Sequence, residues 1–444
     1  MVLLISTYDL GRQPFGVASP LAWLRRAGID AHAIDLSRDR LQTDAVTAAG
    51  LVAFYLPMHT ATRLALPVID RVRAINPQAT ICAYGLYAPL NEALLRQRGV
   101  SVILGPEAEA ELVAVVSAGG EAPGLQSSTL LPRLAFIPPD RTGLPLLDRY
   151  ASLQMPDGSQ KVVGATEATR GCKHRCRHCP IVPVYDGQFR VVPVDVVMAD
   201  VRGQVEQGAT HITFGDPDFL NGPTHARKVI DALHREWPEV TYDVIVKVEH
   251  LLAHRDLLPR LAATNCLFIT SAVESVDDAV LAKLEKGHTR ADFVAAAHLC
   301  RSERLTLIPT FVAFTPWTTL DNYRDLLDVV EDLDLLEHVA PVQWSIRLLV
   351  TWQSRLLELP DIVALVGQFD PLTLTYPWKH TDTRVDDLQR RVMGLAGTRM
   401  TQSRRAIFDR VRALSNSPDH QVSRSPDPPM PRTSVPYLNE PWYC

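Results

Sequence analysis

The chain has 444 residues, 46% of them hydrophobic, and a net charge of -5 with no long run of one sign. That length exceeds one ordinary core and predicts two or three domains, and the near-neutral charge gives no electrostatic reason to expect a nucleic-acid or membrane partner. No stretch reaches the roughly 18 apolar residues of a membrane span, and Met1-Val2-Leu3-Leu4-Ile5-Ser6 lacks a basic region, so a cytoplasmic protein is expected.

Residues 1–118 alternate short apolar runs (2–6, 31–36, 51–55, 80–84 and 102–104) with helical patterns at 19–27, 60–74 and 90–98. Brief, uniformly apolar strands with intervening helices predict a doubly wound, Rossmann-like α/β domain with a parallel sheet. Its ligand would sit at the carboxyl ends of the strands. Residues 119–158, dense in Gly, Pro and Ser, read as a linker. From 159 to 355 the alternation resumes, with strands expected at 162–166, 211–214, 243–248, 267–272, 305–314 and 342–350. Six such units predict a partial (β/α)6 barrel with its site on the C-terminal rim. Residues 356–444 read as a helical region, with helices at 385–395 and 402–414 and a flexible tail.

The densest chemistry is Gly171-Cys172-Lys173-His174-Arg175-Cys176-Arg177-His178-Cys179-Pro180, directly after the first barrel strand. Cys-x3-Cys-x2-Cys folds three thiolates around one face of a metal cluster and leaves its fourth corner without a protein ligand, an open [4Fe-4S] site at Cys172, Cys176 and Cys179. The alternative is a zinc set completed by His174 or His178. Structural zinc sites usually pair two separated knuckles, so the spacing favours the cluster. Cys82, Cys266 and Cys300 sit in apolar patterns and read as buried small hydrophobes. Trp317, Trp344, Arg347, Trp352, Trp378 and His380 are candidates for lining a substrate cavity, with packing as the competing explanation.

The three-cysteine loop after the first barrel strand resembles the signature of radical S-adenosylmethionine enzymes. The resemblance implies that S-adenosylmethionine chelates the free iron and is cleaved to a 5'-deoxyadenosyl radical, with flavodoxin or ferredoxin as electron donor and a small molecule or peptide as substrate. Phe214-Gly215-Asp216-Pro217-Asp218 stands where the family has its Gly-Gly-Glu-type motif, which implies Gly215 with Asp216 or Asp218 for the methionine amino group. The third strand ends in Lys247 and Glu249, charges on the rim facing polar cofactor atoms. Ser271-Ala272-Val273-Glu274-Ser275 resembles the segment that contacts the ribose, and His178 takes the place of an aromatic residue beside adenine. Leu281-x2-Leu284-x-Lys286-Gly287-His288-Thr289 is similar to the branch with an N-terminal cobalamin-binding domain. In residues 1–118 the resemblance to that domain rests on Gly16-x3-Pro20-Leu21-x-Trp23-Leu24 and Gly105-Pro106-Glu107-x-Glu109. The Asp-x-His-x2-Gly motif that supplies a histidine ligand is absent, Asp9-Leu10-Gly11 standing there, and His32 reads as an ordinary strand residue. The domain is expected either to bind cobalamin, which implies a class B-type methyltransferase acting on an unactivated carbon, or to be a vestige serving substrate or stability. Without cobalamin, oxidation, rearrangement or C-S bond formation is expected. A non-catalytic iron-sulfur or zinc protein is the reading from another class. The end, Glu440-Pro441-Trp442-Tyr443-Cys444, resembles a radical enzyme subgroup with Cys-Sec-Ala-Glu-Pro or Cys-Cys-Ala-Glu-Pro tails, which implies a UGA selenocysteine codon after Cys444.

Overall fold

The computed structural model describes residues 1–120, 131, 134–396, 402–416 and 433–440. Cys444, with its implied selenoprotein tail, lies outside them. The first sheet contains β1 (Val2–Ser6), β2 (Ala31–Asp35), β3 (Leu51–Tyr55), β4 (Thr80–Tyr84) and β5 (Val102–Ile103), all parallel in the order β2-β1-β3-β4-β5. Successive side chains of a strand point to opposite faces. Val2 and Leu4 accordingly pack with Val17, Leu21 and Leu112 from helices Phe15–Arg26 and Glu109–Ser117. Leu3 and Ile5 pack with Ala65, Ile69 and Val72 of helix His59–Ile75 on the other face. The strand order reverses between β1 and β3, which opens a crevice at their carboxyl ends. The helix expected over 90–98 is interrupted at Asn91, whose Nδ2 donates to Tyr87 O at 2.8 Å, leaving helices Tyr87–Leu90 and Glu92–Gln97.

Residues 134–152 cross to the second unit as an irregular strap that Arg141 anchors. Its buried guanidinium donates to Asp200 Oδ1 at 2.7 Å, Gln13 Oε1 at 2.8 Å and Ala165 O at 2.6 Å, and so ties both units together. β6 (Leu153–Gln154) and β7 (Gln160–Lys161) form a short hairpin. The second main sheet begins with β8 (Val163–Thr166). β9 (Thr169–Gly171) and β10 (Phe189–Val191) pair antiparallel and bracket the cysteine loop. β11 (His211–Phe214), β12 (Thr241–Ile245), β13 (Cys266–Glu274) and β14 (Thr306–Phe311) complete a parallel sheet in the order β14-β13-β12-β11-β8. β15 (Tyr437–Leu438) pairs with β6.

The sixth barrel strand expected over 342–350 is reduced to one parallel bridge, Phe314 to Arg347. Pro341–Ser345 instead forms a 3-10 turn. Pro341 has no N–H to give a ladder. The Trp344 carbonyl accepts from Tyr323 Oη at 2.8 Å and the Ser345 carbonyl from Gln389 Nε2 at 3.0 Å, so side chains of neighbouring helices take the backbone groups a strand would have used. Helices Thr383–Ala396 and Arg404–Asn416 then cover this end, with Phe408 edge-on to Trp344.

Candidate functional site

The cysteine loop leaves β9 at Gly171, where only glycine fits. Its φ is +76°, and a Cβ there would meet the Tyr185 ring and lie 2.6 Å from Gln188 O. The far side of the loop is clamped from two later segments. Arg177 N donates to Leu284 O at 2.9 Å, its guanidinium reaches Lys283 O at 2.9 Å and Glu285 at 2.6 Å, and Ser354 Oγ donates to Arg177 O at 3.3 Å. Cys172, Cys176 and Cys179 are free thiols, the first two buried. Burial pushes the Cys179 thiol up to about 12 and also raises Cys172, while Lys286 and Lys247 respectively pull the other way. Three thiolates are stable here only with a cation among them, which suits a metal cluster. Cys82, Cys266 and Cys300 are buried, as expected of small hydrophobes.

The residues expected around this loop divide into two groups. Lys247, Glu249, Ser271, Glu274 and His178 are carried at the carboxyl ends of β12 and β13 or on the loop itself. Glu274 ends β13 at φ +69°, beyond a register slip against β14, and accepts from His178 Nε2 at 3.1 Å and Lys286 Nζ at 3.4 Å. Burial alone would raise its carboxyl, but Lys286 and then His178 outweigh it and hold the value at about 2. Ser271 Oγ is buried without a hydrogen-bond partner among the described residues, an unused donor and acceptor. Buried Lys247 reaches Glu249 Oε2 at 3.3 Å, and Glu249 approaches Gly287 so closely that a Cβ there would lie 2.6 Å from the same oxygen.

Asp216 and Asp218 are both buried and bonded within the fold. Asp216 is fully buried and spends both oxygens inside the fold, on Ala168 N at 3.0 Å and Thr169 Oγ1 at 2.5 Å. Burial raises its carboxyl to about 7. It fixes the turn between β8 and β9. Asp218 is also buried. Its Oδ1 accepts from Leu220 N at 3.2 Å, and its Oδ2 lies 2.6 Å from His250 Nδ1 and 3.5 Å from His174 Nε2. Burial pushes this carboxyl up, but the two imidazoles outweigh it and hold it below the usual carboxylate range. Of the motif Gly215 and Pro217 line the cleft between the two sheets, and the nearest atom to where a Cβ on Gly215 would stand is Thr166 O at 3.6 Å.

Sequence reasoning missed three residues. Asn221 accepts from Lys173 N at 3.2 Å and stands 3.8 Å from Cys172 Sγ. Lys286 neutralises Glu274, and His250 joins Asp218 to the cysteine loop. The tract Lys286-Gly287-His288 was a signal for the second, but nothing local marked Asn221 or His250. The aromatic candidates mostly pack. Trp344 is in the core, Trp378 lies under Arg347 with its Nε1 on Leu348 O at 2.9 Å, and His380 N donates to Asp386 at 3.0 Å. Trp317 donates to Asp361 at 2.7 Å, and Trp352 stacks on Tyr376 near the surface. His32 is an exposed strand residue 3.0 Å from Asp30.

Between the two sheets lies a cleft of about 180 Å³. Phe15, Gly16, Tyr55, Tyr84 and Gly85 line it from the first unit, and Glu167, Arg170, Gly171 and Gly215 from the second. Arg170 crosses it, reaching Glu109 at 2.7 Å and Glu167 at 2.9 Å, flanked by the rings of Phe15 and Phe136. Of the glycines in its wall, Gly16 and Gly85 are packed on the Tyr55 ring and Leu56 O and Gly171 on Tyr185, and Gly215 has 3.6 Å to its nearest neighbour.

Residues 166–333 match the model of the Radical SAM superfamily. Among curated relatives, the tRNA-2-methylthio-N(6)-dimethylallyladenosine synthase of Methylococcus capsulatus is 26% identical over 207 residues, 43% of this chain and 43% of the relative. That of Pseudomonas aeruginosa is 24% identical over 273 residues, 58% and 57% of the two chains. The ribosomal protein uS12 methylthiotransferase RimO of Parabacteroides distasonis is 25% identical over 177 residues, 37% and 40%. The chain thus spans about half the length of the curated relatives it matches. Among solved structures, the cobalamin-dependent S-adenosylmethionine radical enzyme OxsB with aqua-cobalamin bound aligns at TM-score 0.70 and 13% identity over 94% of this chain and 71% of that one. The radical S-adenosylmethionine methyltransferase TsrM from Kitasatospora setae, with cobalamin and a [4Fe-4S] cluster bound, aligns at 0.58 and 17% over 75% and 73%. These likenesses establish a shared fold.

Proposed function

We propose that this chain, which carries a radical S-adenosylmethionine domain in residues 166–333, is an enzyme whose Cys172, Cys176 and Cys179 hold a [4Fe-4S] cluster open to S-adenosylmethionine. The observation that carries the reading is the loop itself, with three free thiols held by β9, β10 and the Arg177 clamp, and no fourth cysteine beside them among the described residues. When bound, the cluster supplies the electron that splits S-adenosylmethionine to a 5'-deoxyadenosyl radical. The protein's own groups position and enclose. Gly215 gives backbone access, Ser271 Oγ offers an unspent hydrogen bond, and Lys247 with Glu249 faces polar groups of the cofactor. Glu274 orients His178 against the adenine side. Flavodoxin or ferredoxin serves as electron donor, and the substrate is a small molecule or peptide.

The cleft between the sheets would take cobalamin, with Tyr55, Tyr84, Gly16 and Gly85 of the first unit and Gly171 and Gly215 of the second lining it. The support is the position of the cleft at the carboxyl ends of β3 and β4, together with two structural neighbours described as binding cobalamin. Methylation of an unactivated carbon is then the reaction. A second reading, C-S bond formation without cobalamin, is supported by the methylthiotransferase names of the curated relatives. Anaerobic reconstitution with iron, sulfide and hydroxocobalamin separates them. Release of 5'-deoxyadenosine on reduction, with corrin absorbance retained through gel filtration, supports the first. The same release without retained corrin supports the second. A loaded cluster that leaves S-adenosylmethionine intact returns the chain to a non-catalytic iron-sulfur protein.

A further inference from the structure

Beside the cysteine loop, three side chains from distant parts of the chain converge. His174 comes from the loop, Asp218 from the turn after β11, and His250 from helix Val248–Ala253 after β12. His174 Nε2 is 3.1 Å from His250 Nε2 and 3.5 Å from Asp218 Oδ2, and Asp218 Oδ2 is 2.6 Å from His250 Nδ1. The side chains of Asp218 and His250 are 0% and 3% exposed and that of His174 13%.

Asp218 Oδ2 and His250 Nδ1 are both buried, and neither makes a well-formed hydrogen bond, although they stand at contact distance. Burying such atoms without partners is costly unless something meets them. On the outer side, His174 Nδ1 faces Glu249 Oε2 at 3.5 Å. A carboxylate on one imidazole nitrogen sets the tautomer and leaves the other nitrogen free as a donor, the arrangement behind many metal-bound histidines.

We infer that His174, Asp218 and His250 form a second metal site, distinct from the three-cysteine cluster, that takes one divalent first-row transition ion, with zinc the best match. Bonds of about 2.0–2.2 Å from one ion place its donors roughly 2.8–3.6 Å apart. With Nε2 as the His250 ligand, the distances of 3.1 Å to His174 Nε2 and of 3.5 Å from His174 Nε2 to Asp218 Oδ2 fall in that range, and one donor atom from each of the three residues lies within 4.8 Å of the others. Two imidazoles and one carboxylate suit zinc or iron(II) and leave a further coordination position open. No cysteine belongs to the group, so the ion is separate from the cluster. It would lock the loop to the ends of β11 and β12. The inference concerns metal content alone and stands whether or not the chain cleaves S-adenosylmethionine.

The test is elemental analysis of the anaerobically reconstituted full chain, incubated with one equivalent of zinc chloride and desalted. About four irons should be matched by acid-labile sulfide, with close to one further metal ion per chain. His250→Ala and Asp218→Asn should each abolish the extra ion and leave sulfide unchanged. Absence of extra metal in the parent protein, or an excess that survives His250→Ala, overturns the site. Should the variants fail to fold, cobalt(II) titration of the parent holoenzyme decides. One equivalent giving a ligand-field band that zinc removes supports the site, and no such band overturns it.

Discussion

Replacing Glu274 by Gln tests whether the buried charge cluster at the end of β13 holds the barrel rim together. The substitution keeps size and shape but removes the counter-charge of Lys286, whose side chain is 3% exposed, and one partner of His178. The carboxyl value falls from an ordinary 4.5 to about 2 in the fold. At about 1.36 kcal/mol per pH unit this is a contribution of about 3 kcal/mol. It agrees with the roughly 3–5 kcal/mol cost of breaking a buried ion pair by removing one side. For a unit of this size each kcal/mol moves Tm by about 2–4 °C, so Glu274→Gln should lower Tm by about 6–12 °C near neutral pH. Because the folded value is depressed, the stabilisation is complete above 4.5 and is lost as pH falls toward 2. The gap in Tm between parent and variant, followed by circular dichroism, should be constant from pH 7 to 5 and narrow below. Lys286→Met in the variant background should recover part of the loss. A gap under about 1 °C at neutral pH, or one that widens on acidification, would refute the reasoning.

Single replacements of Cys172, Cys176 or Cys179 by Ala should each remove the bound iron and sulfide, measured colorimetrically, whereas Cys82→Ala in the first sheet should retain both. Arg141→Met removes a guanidinium that links Asp200, Gln13 and Ala165 O, and should cost about 3–5 kcal/mol in urea unfolding. Gly171→Ala forces a side chain onto a φ of +76° against Gln188 O. The strain of about 1–3 kcal/mol falls on the loop, so iron content should drop while far-ultraviolet circular dichroism stays near that of the parent.

Much of the molecule was legible in the sequence because the relevant information is local. The five brief apolar runs of residues 1–118 predicted β1 to β5, since a strand buried on both faces needs no partner to announce its pattern. The cysteine spacing likewise marked the loop after the first barrel strand, because three thiols must lie close in sequence to share one tight turn. Tertiary structure decided what each rim residue faces. Asp216 and Asp218 sit two residues apart in one motif, yet Asp216 is spent on Thr169 while Asp218 meets His174 and His250. The apolar run at 342–350 has a strand's composition, but Tyr323 and Gln389 take its carbonyls and turn it aside. Trp344, a candidate cavity wall by type, is core because Phe408 arrives from 64 residues further along. A residue's chemical type and spacing are properties of the sequence. Its partners come from strands and helices tens of residues away, and only the packing of the whole chain selects them.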